Sequence, residues 1–275
     1  MAEGARADVA LAARGLARSR TEGAALVKAG AVLMDGVPVR RPSQAVPDGA
    51  RLELAGAGPR YVSRAAHKLV SALEAFSVAV AGRRALDAGA STGGFTQVLL
   101  ERGAEHVAAV DVGHDQLDPR IREDPRVLVR EGLNVRGLTA EDVEGPVDLV
   151  VSDLSFISLR LVLVPLAAVC RPGADLLLMV KPQFEVGRSA LPRTGVVTDP
   201  QDRAAAVAGV AQAALKTGLE VAGLARSGLP GQDGNVEFFL HLRAPQAGAA
   251  PPDDGSLHAG TRAAELVAGA LVDWS

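Results

Sequence analysis

The sequence has little of what marks secreted and membrane proteins. It contains one cysteine, Cys170, which excludes an intrachain disulfide and fits a reducing compartment. Its first residues, Met-Ala-Glu-Gly-Ala-Arg, lack the apolar stretch of a signal peptide. It also lacks an uninterrupted apolar run of about 18 residues, so no membrane-spanning helix is expected. These absences predict a cytoplasmic protein without a membrane partner.

A dinucleotide-binding fingerprint is absent as well. After a short apolar strand that ends at Asp87, the glycines do not follow the Gly-x-Gly-x-x-Gly pattern. They stand at Gly89, Gly93 and Gly94. Such a turn lets a ligand approach the backbone, and Asp111, which ends the next apolar strand, is placed to bind a ribose. The spacing favours an S-adenosylmethionine (SAM)-dependent methyltransferase, with a nicotinamide enzyme or a ligand-free turn as alternatives.

Charge is distributed unevenly along the chain. Residues 1–68 hold 11 Lys and Arg against 6 Asp and Glu, which leaves 18 of the 29 basic and 26 of the 32 acidic residues for the remainder. A basic segment on an acidic body favours contact with a polyanion, although a solvated basic face is the alternative. At 275 residues and 48% hydrophobic, the chain can form one large and one small globular domain.

From residue 84 onward, strand and helix patterns alternate. Strands are predicted at 84–88, 106–111, 126–130, 147–152, 174–180, 219–226 and 235–243, and helices at 63–80, 93–103, 158–170 and 201–217. Alternation predicts a parallel sheet with crossover helices. The loop at 229–235 is too short for a crossover, so the last strand should be antiparallel. The expected fold class is α/β, a Rossmann-like seven-stranded class I SAM-dependent methyltransferase sheet after a small α+β domain.

The first 54 residues carry the pattern of that small domain. Two short helices are predicted, with Ser19 and Glu22 at capping-box spacing, followed by a hairpin at Asp35-Gly36 and an edge strand at 51–54. This stretch resembles the S4 RNA-binding domain through Arg14-Gly-Leu-Ala-Arg-Ser-Arg and Leu26-Val-Lys-Ala-Gly-Ala-Val. The resemblance implies that basic side chains contact structured RNA, namely Arg14, Arg18, Arg20, Lys28, Arg40 and Arg41.

The domain boundaries follow from composition. We expect an S4-like domain at 1–54, a linker at 55–62, a methyltransferase domain at 63–243, and a Pro/Ala/Gly-rich linker with a carboxyl-terminal surface helix at 244–275. Near the linker, Arg60 and Arg64 flank Tyr61, the only tyrosine, and extend the candidate RNA-binding set. Tyr61 could stack on a base or wedge the domain junction.

Two predicted strands end in candidate functional residues, at the edge where open α/β sheets bind ligands. The fourth ends in Asp153-Leu-Ser-Phe, and the fifth runs into Lys181. A lysine closing so apolar a strand needs an acidic partner such as Asp153, unless it snorkels to the surface. The lack of the Asn/Asp-Pro-Pro motif common in amine methyltransferases favours a hydroxyl acceptor. Cys170, assigned to the helix after the fourth strand, disfavours a cysteine nucleophile.

Longer motifs connect these residues. The sequence resembles the TlyA ("hemolysin A") family of rRNA 2′-O-methyltransferases, an S4 domain followed by an FtsJ-like domain. The matching segments are Tyr61-Val-Ser-Arg…Lys68-Leu, Asp87-Ala-Gly-Ala-Ser-Thr-Gly-Gly-Phe, Asp111-Val-Gly, Asp153-Leu-Ser-Phe-Ile-Ser, Val180-Lys-Pro-Gln-Phe-Glu and Gly234-Asn-Val-Glu-Phe-Phe. Two departures are Ala65-Ala66, where the family often has glycine, and His114-Asp115, where Tyr-Gly is common.

The resemblance implies a catalytic tetrad of Lys68, Asp153, Lys181 and Glu237. Lys181, with a second lysine nearby and partial burial, is the candidate base for a ribose 2′-hydroxyl, and the two acids orient the lysines. His114 is a weak alternative base. The implied SAM contacts are Asp87, Gly89, Ser91, Gly93, Gly94, Phe95, Asp111 and Asn134, the last of which is as well explained as a turn residue.

The implied cofactor is SAM without a metal, and the implied partners are ribosomal RNA and ribosomal subunits, with a cytidine in 16S or 23S rRNA as the target. Two other functions stay open. A pore-forming haemolysin would need a membrane-active segment that the sequence does not offer. A non-catalytic RNA-binding protein would not need an intact tetrad and glycine turn.

Overall fold

The protein is described from a computed structural model. The structure describes residues 4–54, 61–187, 191–231, 233–248, 263–265, 267, 269 and 272–274. The chain divides into two compact units, Met1–Tyr61 and Val62–Ser275.

The amino-terminal unit has the small α+β architecture expected from the sequence. It comprises β1 (Ala5–Arg6), α1 (Ala7–Ala13), α2 (Arg20–Lys28), β2 (Val32–Met34), β3 (Val37–Pro38), β4 (Ala45–Val46) and β5 (Leu52–Leu54). Strand β2 pairs antiparallel with β3 and β5, and β1 pairs with β4. The two helices, the hairpin and the edge strand β5 are therefore confirmed.

The predicted helix cap of α2 is present with one difference. The hydroxyl of Ser19 accepts a hydrogen bond from the backbone N–H of Glu22. The Glu22 carboxylate in turn accepts from the N–H of Arg18, at 2.6 Å, instead of from that of Ser19. The reciprocal contact of the capping box is thus displaced by one residue.

The larger unit is a seven-stranded sheet with helices between its strands. Its elements are α3 (Ala66–Phe76), β6 (Arg84–Ala88), α4 (Gly94–Glu101), β7 (His106–Asp111), α5 (Pro119–Arg122), β8 (Val127–Glu131), β9 (Val147–Ser152), α6 (Leu163–Ala168), β10 (Cys170–Val180), α7 (Pro182–Glu185), α8 (Pro200–Lys216), β11 (Glu220–Arg226) and β12 (Phe238–Arg243). The order is β11-β12-β10-β9-β6-β7-β8. Strand β12 runs antiparallel to both neighbours, as predicted.

The central strands form the core of this unit. Leu86, Val150, Leu176, Leu178 and Phe238 are fully buried. Such continuous apolar strands are typical of a parallel sheet that is covered on both faces. The arrangement places the carboxyl ends of β6, β7, β9 and β10 along one edge of the sheet, together with the start of antiparallel β12.

Two local predictions are wrong. Cys170 does not lie in a helix; α6 ends at Ala168 and Cys170 begins β10, because Pro172 disfavours continuation of the helix through the residues before it. Burial raises the pKa of the Cys170 thiol to about 12. The helix predicted at 63–80 begins only at Ala66, and the hydroxyl of Ser63 accepts from the N–H of Ala65 in the preceding turn.

The carboxyl-terminal segment packs against the large unit. Residues 263–265, 267 and 269 are helical, and Ala263 and Val267 are buried in the core. The indole of Trp274 lies against the ring of Phe238, with centroids 4.8 Å apart. A surface helix was predicted here, but an apolar face of this segment is buried. Residues 249–262, most of the predicted linker, lie outside the described part.

Candidate active site

The loops after β6 and β9 meet at the carboxyl edge of the sheet. Gly89 follows β6 with φ +90°, and a Cβ there would lie 3.1 Å from the carbonyl oxygen of Asp153. A larger residue would therefore be strained in its backbone and would push the loop after β9 away. Gly89 allows these two loops to pack closely.

Two adjoining cavities open around this contact. One, of about 770 Å³, lies by the ends of β7 and β8, and its lining includes Asp111, Val112, Asn134 and Leu161. The other, of about 590 Å³, lies by α3, β10 and the start of β12, and its lining includes Lys68, Lys181 and Glu237. Both are lined by the shared residues Gly89, Ser91, Asp153, Ser155 and Phe156. The first is called the cofactor cavity and the second the acceptor cavity below.

The cofactor cavity is lined by four of the predicted SAM contacts, Gly89, Ser91, Asp111 and Asn134. The Asp111 carboxylate accepts from the N–H of Ser91 at 2.8 Å and from that of Gly113 at 2.7 Å, so it connects the first two strand-end loops. Asn134 accepts from the N–H of Arg136 and thereby caps a short 3₁₀ helix. Asn134 is therefore a turn residue that also lines the cavity, and its contact with SAM stays a prediction.

The other predicted cofactor residues are distributed differently. Gly94 and Phe95 line the acceptor cavity. Asp87 and Gly93 are not among the described residues that line either cavity. A Cβ at Gly93 would lie 2.8 Å from Leu117, so this glycine serves close packing.

Asp87 is fully buried beneath the glycine turn. Its Oδ2 accepts from the Thr96 hydroxyl at 2.7 Å, and its Oδ1 has no hydrogen-bond partner among the described residues. Burial raises the pKa of Asp87 to about 7, against the opposing effect of Thr96. The structure thus shows Asp87 supporting the turn from below.

The four tetrad residues lie together in the acceptor cavity as two ion pairs. Nζ of Lys181 is 2.6 Å from Oδ1 of Asp153. Nζ of Lys68 is 2.5 Å from Oε2 of Glu237 and 4.0 Å from Oδ2 of Asp153, which therefore lies between the two lysines. The side chains come from α3, the end of β9, the end of β10 and the residue before β12. These elements are far apart in sequence and adjacent only in the folded sheet.

Burial makes the balance of charge in this cluster important. The tetrad side chains are only 3% to 16% exposed. Two cations and two anions leave the cluster near neutral, which limits the cost of removing each charge from water. In such a cavity, the amine of a buried lysine can take a proton from a bound hydroxyl, and the carboxylate beside it can orient that hydroxyl.

Four further residues join the loops that carry Asp153 and Lys181. Glu185, whose side chain is 1% exposed, accepts hydrogen bonds from the Ser158 hydroxyl at 2.6 Å and the N–H of Leu159 at 2.7 Å. Arg160 donates to the same carboxylate at 3.2 Å. Burial raises the pKa of Glu185, and these hydrogen bonds oppose that effect. We call Ser158, Leu159, Arg160 and Glu185 the loop clamp.

An exposed aromatic side chain stands where the two cavities meet. Phe156 is 92% exposed and has φ +63°, an unfavourable conformation for a bulky residue. Its ring lies 5.3 Å from that of Phe184. No role was predicted for Phe156 or Glu185, although both lie within the motifs that carry the family resemblance.

Comparisons with known proteins agree with this geometry. The FtsJ-like methyltransferase family matches residues 61–244, and the S4 domain matches residues 5–52. Over 244 residues, 88% of this chain and 91% of the relative, the sequence is 56% identical to the 16S/23S rRNA (cytidine-2′-O)-methyltransferase TlyA of Mycobacterium tuberculosis. The chain belongs to the TlyA family. The resemblance stated from its motifs is therefore confirmed.

Other TlyA-family relatives carry a different name. Hemolysin A of Brachyspira hyodysenteriae is 32% identical over 238 residues, 86% of this chain and 99% of that protein. A solved structure named as a hemolysin, from Streptococcus thermophilus, superposes with a TM-score of 0.70 at 36% identity, covering 98% of this chain and 96% of that one. Among the described residues, no helix is long and apolar enough to cross a membrane.

The basic residues expected to bind RNA are exposed on the amino-terminal unit: Arg14, Arg18, Arg20, Lys28, Arg40 and Arg41. Some of them make contacts within that unit. Arg14 donates to the carbonyl of Ala50, and Arg20 pairs with Asp8 at 3.2 Å. Arg60 lies outside the described residues. In the large unit, Arg64 is exposed and lines the acceptor cavity.

The alternative base His114 is not among the described residues that line either cavity. Its ring packs close to Gly132, where a Cβ would lie 2.6 Å from it. Lys181, unlike His114, is among the described residues that line the acceptor cavity. Within the described residues, no group of three or more His, Cys, Asp or Glu side chains is arranged to hold a metal ion.

Proposed function

We propose that the protein transfers the methyl group of SAM to the ribose 2′-hydroxyl of a cytidine in ribosomal RNA. The observation that carries the proposal is the buried Lys-Asp-Lys-Glu cluster at the junction of two cavities. A cofactor in one cavity and an acceptor hydroxyl in the other would meet beside Asp153, which lines both. The name of the Mycobacterium tuberculosis relative agrees with this reaction.

The cofactor cavity suits SAM by its chemistry. Each oxygen of the Asp111 carboxylate accepts one hydrogen bond from a backbone N–H. Each oxygen therefore keeps a lone pair that can accept from a ribose hydroxyl. Apolar side chains such as Val112 and Leu161 offer surface for an adenine ring. When bound, SAM supplies an electrophilic methyl group on a sulfonium centre.

The tetrad supplies the proton chemistry. A ribose 2′-hydroxyl is a weak acid, so a base must take its proton as the oxygen attacks. We assign this role to Nζ of Lys181, which lines the acceptor cavity. Asp153, 2.6 Å away, orients Lys181 and stabilises the ammonium that forms. Lys68, held by Glu237, balances the negative charge of Asp153 from the other side.

The amino-terminal unit would supply the affinity for RNA. Its exposed arginines and lysine can contact phosphates, which sets affinity and orientation more than sequence choice. Discrimination of the target nucleotide then falls to the acceptor cavity and to the structure of the RNA. The partners implied are ribosomal subunits or their RNA.

The test is transfer of labelled methyl groups from SAM to ribosomal subunits that lack the modification, followed by nucleoside analysis. We expect labelled 2′-O-methylcytidine, and assaying each subunit separately identifies 16S or 23S rRNA as the substrate. Lys181→Ala should lower kcat by about 10²- to 10⁴-fold while SAM still binds. No label on either subunit, with measurable SAM binding, would contradict the proposal, and undiminished activity of Lys181→Ala would remove Lys181 as the base.

A further inference from the structure

Lys181 has a second partner, Ser155, which is not one of the four tetrad residues. Its Nζ donates a hydrogen bond to the hydroxyl oxygen of Ser155 at 2.9 Å. The contact with Asp153 is shorter, but it is an ion pair without aligned hydrogen-bond geometry. Among the described residues, the aligned hydrogen bond of Lys181 is therefore the one to Ser155.

We propose that Ser155 is a positioning residue that directs the lone pair of Lys181 toward the acceptor hydroxyl. The inference rests on the proposed function, in which Lys181 is the base. A neutral amine carries two N–H groups and one lone pair in fixed tetrahedral directions. Ser155 holds one N–H, and the negative carboxylate of Asp153 beside the amine repels the lone pair, so the lone pair turns toward the open cavity. Without Ser155, the amine rotates about its terminal bond and the lone pair loses that orientation.

The loop holds Ser155 in place from both sides. On one side, the N–H of Asp153 donates to the carbonyl of Ala88, at 3.2 Å. On the other, the loop clamp fixes Ser158 and Leu159 through Glu185. The strained backbone of Phe156 lies between these anchors. Such strain persists only where the surroundings impose it, and it is often found at functional sites.

Ser155 has little role in holding the fold together. It is exposed, and it lines both cavities. Its side-chain contact in the described part of the chain is the hydrogen bond with Lys181. Replacing an exposed hydroxyl changes stability little. An effect of Ser155→Ala on the reaction can therefore be separated from an effect on folding.

The experiment measures kcat and KM for SAM and for the RNA acceptor, with SAM affinity and Tm, in wild type, Ser155→Ala and Ser155→Thr. The control is Ser71→Ala, which removes an exposed hydroxyl from α3 outside both cavities. We expect Ser155→Ala to lower kcat about 10- to 100-fold, the size of effect that misplacing a reacting group has. KM, SAM affinity and Tm should change little, and Ser155→Thr should restore most of the rate.

Three results would overturn the inference. The first is an unchanged kcat in Ser155→Ala. The second is an equal loss in Ser155→Ala and Ser155→Thr, which would show that the hydroxyl is not what matters. The third is weakened SAM binding with unchanged kcat, which would make Ser155 a cofactor contact. Failure of the proposed function is a separate result, because the wild type itself would then methylate no ribosomal RNA.

Discussion

Lys68 and Glu237 are 169 positions apart in the sequence, yet Nζ of the lysine lies 2.5 Å from a carboxylate oxygen of the glutamate. The pair joins α3, which precedes the first strand of the large unit, to the residue before β12, its last. This contact therefore brings together the first helix and the last strand of the large unit.

Breaking this pair should cost stability as well as activity. Glu237→Leu leaves Lys68 buried without its partner, which typically costs about 3–5 kcal/mol. The double variant Lys68→Met/Glu237→Leu should recover much of that loss, because two apolar side chains need no compensation. Urea unfolding of the wild type, both single variants and the double variant measures the coupling. Additive losses would show that the two charges do not interact, and none of the variants should be active.

The buried carboxyl of Asp87 should make stability depend on pH. Its folded pKa, about 7, lies above the ordinary value of 3.8 for an exposed aspartate. The folded state therefore binds a proton that the unfolded state has lost, and this stabilisation is full at low pH and is lost as pH rises through about 7. Asp87→Asn keeps an acceptor for Thr96 and removes the titration.

The measurement is the free energy of unfolding of wild type and Asp87→Asn between pH 5 and pH 8. We expect the free energy of unfolding of Asp87→Asn to increase relative to that of the wild type as pH increases. Asp175→Asn, measured below pH 5, provides a contrast of opposite sign: burial raises the pKa of Asp175, but hydrogen bonds from His241 and Arg83 outweigh this and lower it, so its stabilisation is lost as pH falls. A difference between Asp87→Asn and the wild type that is constant with pH would contradict the assignment.

Glu185 should control the geometry of both cavities although it lines neither in the described part of the chain. Glu185→Gln replaces one acceptor oxygen of the loop clamp by a donor, which then faces the N–H of Leu159 or the hydroxyl of Ser158. Leaving such a buried group without a partner costs about 1–3 kcal/mol. We expect lower kcat and weaker SAM binding, measured by methyl transfer and calorimetry.

The matched control for Glu185→Gln is Glu74→Gln. Glu74 is exposed and pairs with Arg102 at 3.0 Å on the surface of the same unit. An exposed pair of this kind contributes about 0–1 kcal/mol, so the control should keep its activity. Equal behaviour of the two variants would mean that the loop clamp does not govern the site.

Sequence reasoning found the part of the site that depends on regular structure. Asp153 and Lys181 end adjacent parallel strands, so the alternating pattern alone brings them to one edge. Glu237 is predicted at the same edge, because it precedes an antiparallel strand, and such a strand begins where its parallel neighbours end. The place of Lys68 in the site is predicted only by the family resemblance, because the apolar periodicity of α3 does not indicate which of its residues faces the site.

The residues that were missed depend on irregular backbone. Glu185 and Ser155 act through loop contacts whose partners are set by local turns instead of by strand or helix periodicity. Cys170 was misplaced because an apolar run of that length is compatible with either a helix or a strand. The carboxyl-terminal segment was assigned to the surface because its alanine-rich pattern does not show which face the core covers.

The exposed ring of Phe156 should contribute to the reaction and not to the fold. Phe156→Ala removes a side chain that is already in solvent, so Tm should hardly change. If the ring stacks on a base of the RNA, its loss should cost about 1–3 kcal/mol in kcat/KM for RNA, with SAM affinity retained. Val164→Ala, at another exposed apolar position, is the control. Unaltered kcat/KM in Phe156→Ala would exclude a stacking role.

Trp274 should affect the acceptor cavity from a distance. Its carbonyl accepts from the buried Arg203, whose Nε donates to the carbonyl of Val197 at 3.0 Å. The N–H of Val197 donates to the side chain of Asn235, which lines the acceptor cavity together with Gly195. Trp274→Ala removes the ring that packs on Phe238 and should loosen this chain of contacts.

For Trp274→Ala we expect faster proteolysis around Val197 and a higher KM for RNA, with unchanged SAM affinity because the cofactor cavity lies by other strands. Asp273→Asn, which weakens the exposed ion pair with Arg226, is the matched control in the same segment. A change in SAM affinity without a change in KM for RNA would place the effect of Trp274 elsewhere in the unit.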